Sequence, residues 1–244
     1  MTTKDAVLGG LVHRALTMPF EKPAPCRKFG EVPDAASMLV RALRLLPDDD
    51  SWASVDGAHD WSRAVCLVDS GGPYWSALAD EFFSLGCGRY EPLVPVQEAV
   101  LERVVPAAGA LAEELARVAE RRGWEAVWGE MPLAAAWDGP GFGVTRPDLV
   151  AALGRTAAAV DLKVTSMQPT AWLDKYGDDE DLLARFRKWD SRITRLGYEA
   201  VSWWLAIVQV DWDGPTSPSR SMWRYDAYAG DWAPATPRRR RSDR

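Results

Sequence analysis

The sequence predicts an α/β protein with a mainly helical N-terminal part, on three observations. Apolar residues recur at helical spacing in the first ninety residues, they gather into short strand-like runs from Trp124 onward, and a strongly amphipathic helix separates the third run from the fourth. Three regions follow: a helical region over 1–92, a core over 93–212, and a C-terminal extension over 213–244 with an Arg-rich tail.

In chain order, Asp34 can cap a helix whose Met38, Leu39, Ala42, Leu43 and Leu46 keep the 3.6-residue period until Pro47 stops it. A second helix is predicted over 73–85, with Trp75, Leu78, Phe82 and Leu85 facing inward. Residues 95–122 read as two consecutive helices, because Pro106 is excluded from a helix interior but suits a first turn, and Gly123 ends the second. Strands are predicted over 124–130, 143–152 and 157–166, joined by Gly, Pro and Asp turns. From Asp181 to Leu196, the residues Leu182, Phe186, Trp189, Ile193 and Leu196 form one apolar stripe. Asp178 to Asp181 supply its acidic first turn and Gly197 its stop. A fourth strand follows over 201–210, so the order from residue 95 is helix, strand, strand, strand, helix, strand.

With 47% apolar and 26% charged residues the composition is that of an ordinary globular protein, which excludes collagen-like, coiled-coil and disordered readings. No apolar run approaches the ~20 residues of a membrane span, and the opening Met1 to Gly10 lacks the order of a signal peptide. A cytoplasmic protein with no membrane partner is therefore expected. Cys26, Cys66 and Cys87 are too widely spaced for a C-x-x-C chelate and are expected as buried thiols. The formal charge of -6 speaks at first against a nucleic-acid partner. Charge is unevenly placed, however: residues 238–244 carry five Arg and one Asp, a +4 tail that leaves -10 on the rest. That tail reads either as a solvated end or as a phosphate-binding arm.

In the third strand Val160, Leu162 and Val164 alternate with Asp161, Lys163 and Thr165, so Asp161 and Lys163 share a face, roughly 6–7 Å apart along the strand. An antiparallel neighbour could bring Asp148 across from Asp161, and Glu130, closing the first strand, could reach the same spot. Three converging acids repel one another unless a cation neutralises them, and oxygen ligation suits Mg2+ or Mn2+. The alternative is that Asp161 and Lys163 lie on the solvent face of a half-buried strand.

Pro147-Asp148 followed by Asp161-Leu162-Lys163, on neighbouring strands with a helix after them, resembles the active-site signature of the PD-(D/E)XK nuclease superfamily. Glu130-Met-Pro-Leu133 is similar to the upstream glutamate motif of its RecB-like and phage-exonuclease branches. Leu8-Gly-Gly-Leu-Val-His13-Arg-Ala-Leu16 is similar to the G-x-x-x-H-x-x-L helix motif of the RecB-like members, although a surface histidine on an N-terminal helix is the other reading. The resemblance covers about residues 95–212 and implies a restriction-endonuclease-like core, a mixed central sheet flanked by helices. It implies Asp148 and Asp161 as ligands of Mg2+ or Mn2+, Glu130 as a further ligand or a water-mediated contact, His13 as an assistant ligand, and Lys163 as the group that orients the attacking water and steadies charge on the phosphate. Gln168 and Tyr176 do not form the Q-x-x-x-Y of the RecB-like branch. The cysteine quartet of the iron-sulfur members is missing, so no such cluster is implied. No G-x-x-x-x-G-K-[ST] is present, so no nucleotide site is implied and a helicase or recombinase partner would be a separate protein.

Arg185, Lys188, Arg192 and Arg195 form a second stripe on the 181–196 helix that could track DNA phosphates, or could be a solvated face balanced by Asp181 and Asp190. Trp203 and Trp204 could stack unpaired bases or pack within the sheet. The sequence thus predicts a Mg2+-dependent deoxyribonuclease acting in recombination, phage DNA processing or defence. A catalytically inactive DNA-binding or assembly module with the same fold is the alternative, and a protein-interaction domain displaying its many tryptophans is a third.

Overall fold

A computed structural model describes residues 3–44, 102–131, 133, 146–212, 214, 217–227 and 229–235. The helix expected over 73–85, the first helix of the pair expected in 95–122, residues 143–145 of the second expected strand, Cys66, Cys87 and the tail arginines lie outside them. Among the described residues seven strands form one sheet in sequence order: β1 (Ala24–Pro25), β2 (Ala126–Gly129), β3 (Leu149–Leu153), β4 (Thr156–Thr165), β5 (Ala200–Gln209), β6 (Ser219–Asp226) and β7 (Asp231–Pro234). Every neighbouring pair is antiparallel except β4 and β5, which run parallel over ten residue pairs. A parallel pair needs a crossover, and α4 (Pro169–Tyr176) and α5 (Glu180–Arg195) supply it. The protein is therefore α/β with a mixed sheet. The predicted order of elements from residue 104 is found, with α4 as an addition that its eight residues hide from a periodicity argument.

Helices cover both faces. On one, α1 (Thr3–Thr17), α2 (Val32–Arg44) and α3 (Val104–Arg122) bury Leu11, Leu16, Leu39, Leu111 and Leu115 against Ala158, Val160, Leu162 and Trp204. On the other, Leu182, Phe186, Trp189 and Ile193 of α5 pack on Val150, Ala159, Leu205, Ile207 and Trp232. Double coverage explains why β4, read as alternating apolar and polar, is buried without interruption from Ala157 to Leu162. Burying a single Leu or Phe contributes about 2 kcal/mol, so neither layer is dispensable.

Local chemistry sets the ends. Pro106 sits in the first turn of α3, and Gly123 closes the helix at φ 68°, with its N–H on Glu120 O (3.2 Å) and that of Trp124 on Ala119 O (2.9 Å). This is a Schellman stop, and Trp124 then packs on the first core. Asp179 caps α5 by accepting from the amides of Asp181 and Leu182. Leu196, expected in the apolar stripe, is 55% exposed because the helix ends at Arg195. Met38 is likewise exposed rather than inward, since α2 turns Ala35, Ala36, Leu39 and Val40 to the core. A 3-10 helix over Cys26–Glu31 runs straight into α2, so Asp34 lies in its first turn rather than capping it. Cys26 is half-buried; burial pushes its thiol up, and the S–H donates to Trp124 O at 3.1 Å. The segment after 213, punctuated by Pro, Ser and Thr as loops are, contributes β6 and β7 to the sheet.

Candidate functional site

The β3–β4 hairpin brings the first two acids together. Its register pairs Leu149 with Val160, so one further step sets Asp148 opposite Asp161, and the Leu162 amide donates to Asp148 Oδ2 at 2.5 Å. The turn between the strands is two residues, Gly154 and Arg155, with Gly154 at φ 55°, the backbone that such short hairpin turns require. Asp161 is 2% exposed, which rules out the solvent-face reading of that strand. Lys163 lies two residues on along the same strand, with Nζ 2.5 Å from Asp161 Oδ2.

Glu130 joins from β2. Gly129 pairs with Leu149, and Glu130 continues that ladder by donating its N–H to Asp148 O at 2.9 Å. Its φ of 47° is the left-handed region, unusual for a residue with a Cβ and a local strain that the pairing must hold. The fifth group comes from α1. His13 Nε2 is 2.8 Å from Asp148 Oδ1, His13 Nδ1 is 3.9 Å from Glu130 Oε1, and the Thr17 hydroxyl donates to Glu130 Oε1 at 3.4 Å. Close approach of α1 to β2 depends on Gly129: a Cβ there would meet Thr17 O at 2.4 Å. The surface-histidine reading of His13 is thereby excluded.

Charge and burial oppose each other here. Burial alone would raise the Asp148 carboxyl, but the His13 imidazole, the Lys163 ammonium and the Leu162 amide together hold it below its usual range. Asp161 goes the other way, because burial, helped by the Asp148 charge, outweighs the Lys163 ammonium and Arg185. The two facing carboxylates are thus held apart in their readiness to ionise, Asp148 toward the charged form and Asp161 toward the neutral one. Among the described residues no three His, Cys, Asp or Glu side chains stand close enough together to hold a metal ion as they are.

Of the basic stripe on α5, Arg185 reaches the site, with Nη1 3.8 Å from Asp161 Oδ1, while Lys188 and Arg195 are exposed. Arg192, expected to face phosphates, is instead 7% exposed and donates to Leu133 O at 3.0 Å. It follows Trp189 by three residues at the border of the apolar stripe, where the segment at Leu133 covers it. Neither tryptophan of β5 is placed to stack a base. Trp203 is stacked between Phe186 and Tyr225 and donates to Asp190, and the 2%-exposed Trp204 packs edge-on against Trp124.

Beside Asp161 opens a cleft of about 450 Å3 between the end of β4, α4 and the start of α5, with Lys163 and Arg185 on its wall. Trp172 and Tyr176, one turn apart on α4, line it with ring centroids 5.3 Å apart. Trp232 of β7 donates to Gly177 O at 3.0 Å and so fastens the end of α4. Sequence reasoning missed this wall, although Pro169 at a first helical position and two aromatics at i, i+4 were available as signals. No protein-family model, no curated protein and no solved structure matches the chain.

Proposed function

We propose that the chain is a metal-dependent nuclease of the PD-(D/E)XK kind that hydrolyses DNA phosphodiester bonds. One observation carries the reading: Asp148 and Asp161 face each other across a buried antiparallel pair, with Lys163 beside them and Glu130 and His13 arriving from two other elements. A solvated strand face has no use for a buried carboxylate pushed up by burial and by its neighbour's charge. The donor types, carboxylate oxygens with one imidazole, are ones that Mg2+ or Mn2+ accepts, and an ion would have to draw them closer than they stand, its charge offsetting the repulsion between Asp148 and Asp161. Such an ion polarises a phosphate oxygen and acidifies a bound water.

The chain's own groups divide the rest of the work. Asp148, Asp161 and Glu130 offer the oxygens, and His13 fixes the rotamer of Asp148 through its 2.8 Å contact. Lys163 orients the attacking water and steadies the charge that develops on the phosphate. Arg185, half-exposed at the mouth of the cleft, binds a phosphate oxygen on the strand being cut. The rival reading, a non-catalytic DNA-binding module, draws on the pairing of Lys163 with Asp161, in which the protein's own cation already answers a carboxylate. No described helix is long and apolar enough to cross a membrane.

The test is incubation of labelled single- and double-stranded DNA, linear and circular, with Mg2+ or Mn2+, comparing wild type with Asp148→Ala and Lys163→Ala. Cleavage that both substitutions abolish is the expected result. Binding without cleavage would select the module, and cleavage that survives both would place the chemistry elsewhere.

A further inference from the structure

We infer that the cleft beside Asp161 receives an unpaired nucleobase of the strand being cut, which makes single-stranded or frayed DNA the substrate; this rests on the nuclease reading and narrows it. At about 450 Å3 the cleft has the size of a small-ligand site. Lys163 and Arg185, both against Asp161, share its lining with Trp172 and Tyr176 on α4 and with Asp179 and Asp181 at the start of α5, Asp181 one turn before Arg185. Cations and aromatic rings in one cleft suit one phosphate and one base. The two aspartates disfavour a run of several phosphates through it. Stacking on Trp172 is available to any base, because each presents a π face, while Tyr176 packs beside Trp172 with the Lys175 ammonium over its own ring. In an intact duplex both faces of a base are covered by its neighbours, and placing it in the cleft requires unstacking that a single strand does not.

The full chain in EDTA at low salt, where no cleavage occurs, is titrated with a fluorescein-labelled 12-nucleotide single strand and with its blunt duplex, read by anisotropy. Wild type is expected to bind the single strand about tenfold more tightly. Trp172→Ala and Tyr176→Ala should each lose about fivefold or more on the single strand with duplex binding unchanged, and Trp172→Phe should keep most of the affinity. Tyr176→Ala and Trp172→Phe carry the test if Trp172→Ala does not fold. Equal wild-type affinity for the two DNAs, or folded Trp172→Ala and Tyr176→Ala that bind the single strand as wild type does, would overturn the inference. A parallel assay with Mn2+ separates the two levels. Equal cutting of blunt duplex and single strand by wild type sinks the base pocket and leaves the nuclease standing. A Trp172-dependent preference in binding with no cutting of any DNA supports the pocket and removes the nuclease.

Discussion

Gly129→Ala tests whether the site depends on how closely α1 is seated on the sheet. A Cβ at residue 129 would lie 2.4 Å from Thr17 O, 3.0 Å from its carbonyl carbon and 3.1 Å from its Cα, whereas ordinary contact begins near 3.4 Å. All three atoms are backbone, so no side chain can swing aside, and the end of α1 must move out by roughly 1 Å. Overpacking of this kind costs about 1–3 kcal/mol, and an immovable neighbour puts it near the upper end. For a chain of this size, about 3 kcal/mol lowers Tm by about 6–12 °C. The same displacement acts on His13, one turn upstream of Thr17. Its 2.8 Å contact with Asp148 would stretch beyond hydrogen-bonding distance, so DNA cleavage should fall by more than the loss of folded protein explains. Gly9→Ala on the same helix is the control, since its Cβ would find only Val164 Cβ at 3.6 Å. Removing a mid-helix glycine there should leave stability unchanged or raise it by about 0.5–1 kcal/mol. Thermal unfolding followed by circular dichroism reads both. A Gly129→Ala Tm within 2 °C of wild type, or equal damage from the two substitutions, would refute the reasoning.

Asp161→Asn should stabilise the protein at pH 7 while ending cleavage. Because the folded carboxyl is raised above its ordinary 3.8, its contribution to stability is fully present below about pH 4 and lost as the pH rises through the raised value, so the gain over wild type should fade toward pH 4. Chemical denaturation at the two pH values reads that difference, and a variant less stable at pH 7 contradicts the sign. At residue 130, where φ is 47°, Gly should give a more stable protein than Ala by about 1 kcal/mol, and the reverse order in thermal unfolding would show that the backbone is not held there. Arg185→Ala should weaken DNA binding and reduce the salt slope by about one, whereas Arg192→Met should leave that slope unchanged, since its guanidinium is committed to Leu133 O. Equal slopes for the two variants would reject the assignment of Arg185. Phe186→Ala, which empties a site ringed by Trp189, Trp203 and Trp232, should cost about 3–5 kcal/mol in denaturant unfolding, and a loss under 1 kcal/mol would mean that the α5 layer is not packed as described.

What could be read from the residues follows the range of the forces involved. The α5 stripe and the stop at Gly123 are local patterns, and they were legible to within a residue or two. Alternation in β4 placed Asp161 and Lys163 on one face, but burial of that face depends on α5 packing over it, which period-2 spacing does not encode. The exposure of Met38 and the burial of Arg192 likewise turn on which neighbour covers which side of a helix. Strands β6 and β7 were hidden because Pro-, Ser- and Thr-rich stretches flank them on the outside and read as loop, although β6 is paired on both sides and of the two only the four-residue β7 lies at the edge. In the site itself, the Asp148–Asp161 facing follows from a hairpin and was legible. The meeting of α1 with Glu130, across 113 residues at Thr17, was visible only as a motif resemblance around His13.

The two-residue turn at Gly154 and Arg155 makes the hairpin a timing device for the chemistry. Side chains on a strand alternate sides, so sliding β3 against β4 by one residue would leave the ladder hydrogen-bonded and send Asp148 to the opposite side from Asp161. A slide of two would restore the side but move the carboxylate about 7 Å along the strand. Deleting either turn residue leaves one, too few to close the hairpin, and forces such a slide. Since Ala151, Ala152, Ala157 and Ala158 are small and alike, a shifted ladder could still pack. A deletion at this turn is thus where the protein can keep its shape and lose its chemistry, with the meeting of the two aspartates set by phase rather than by fold.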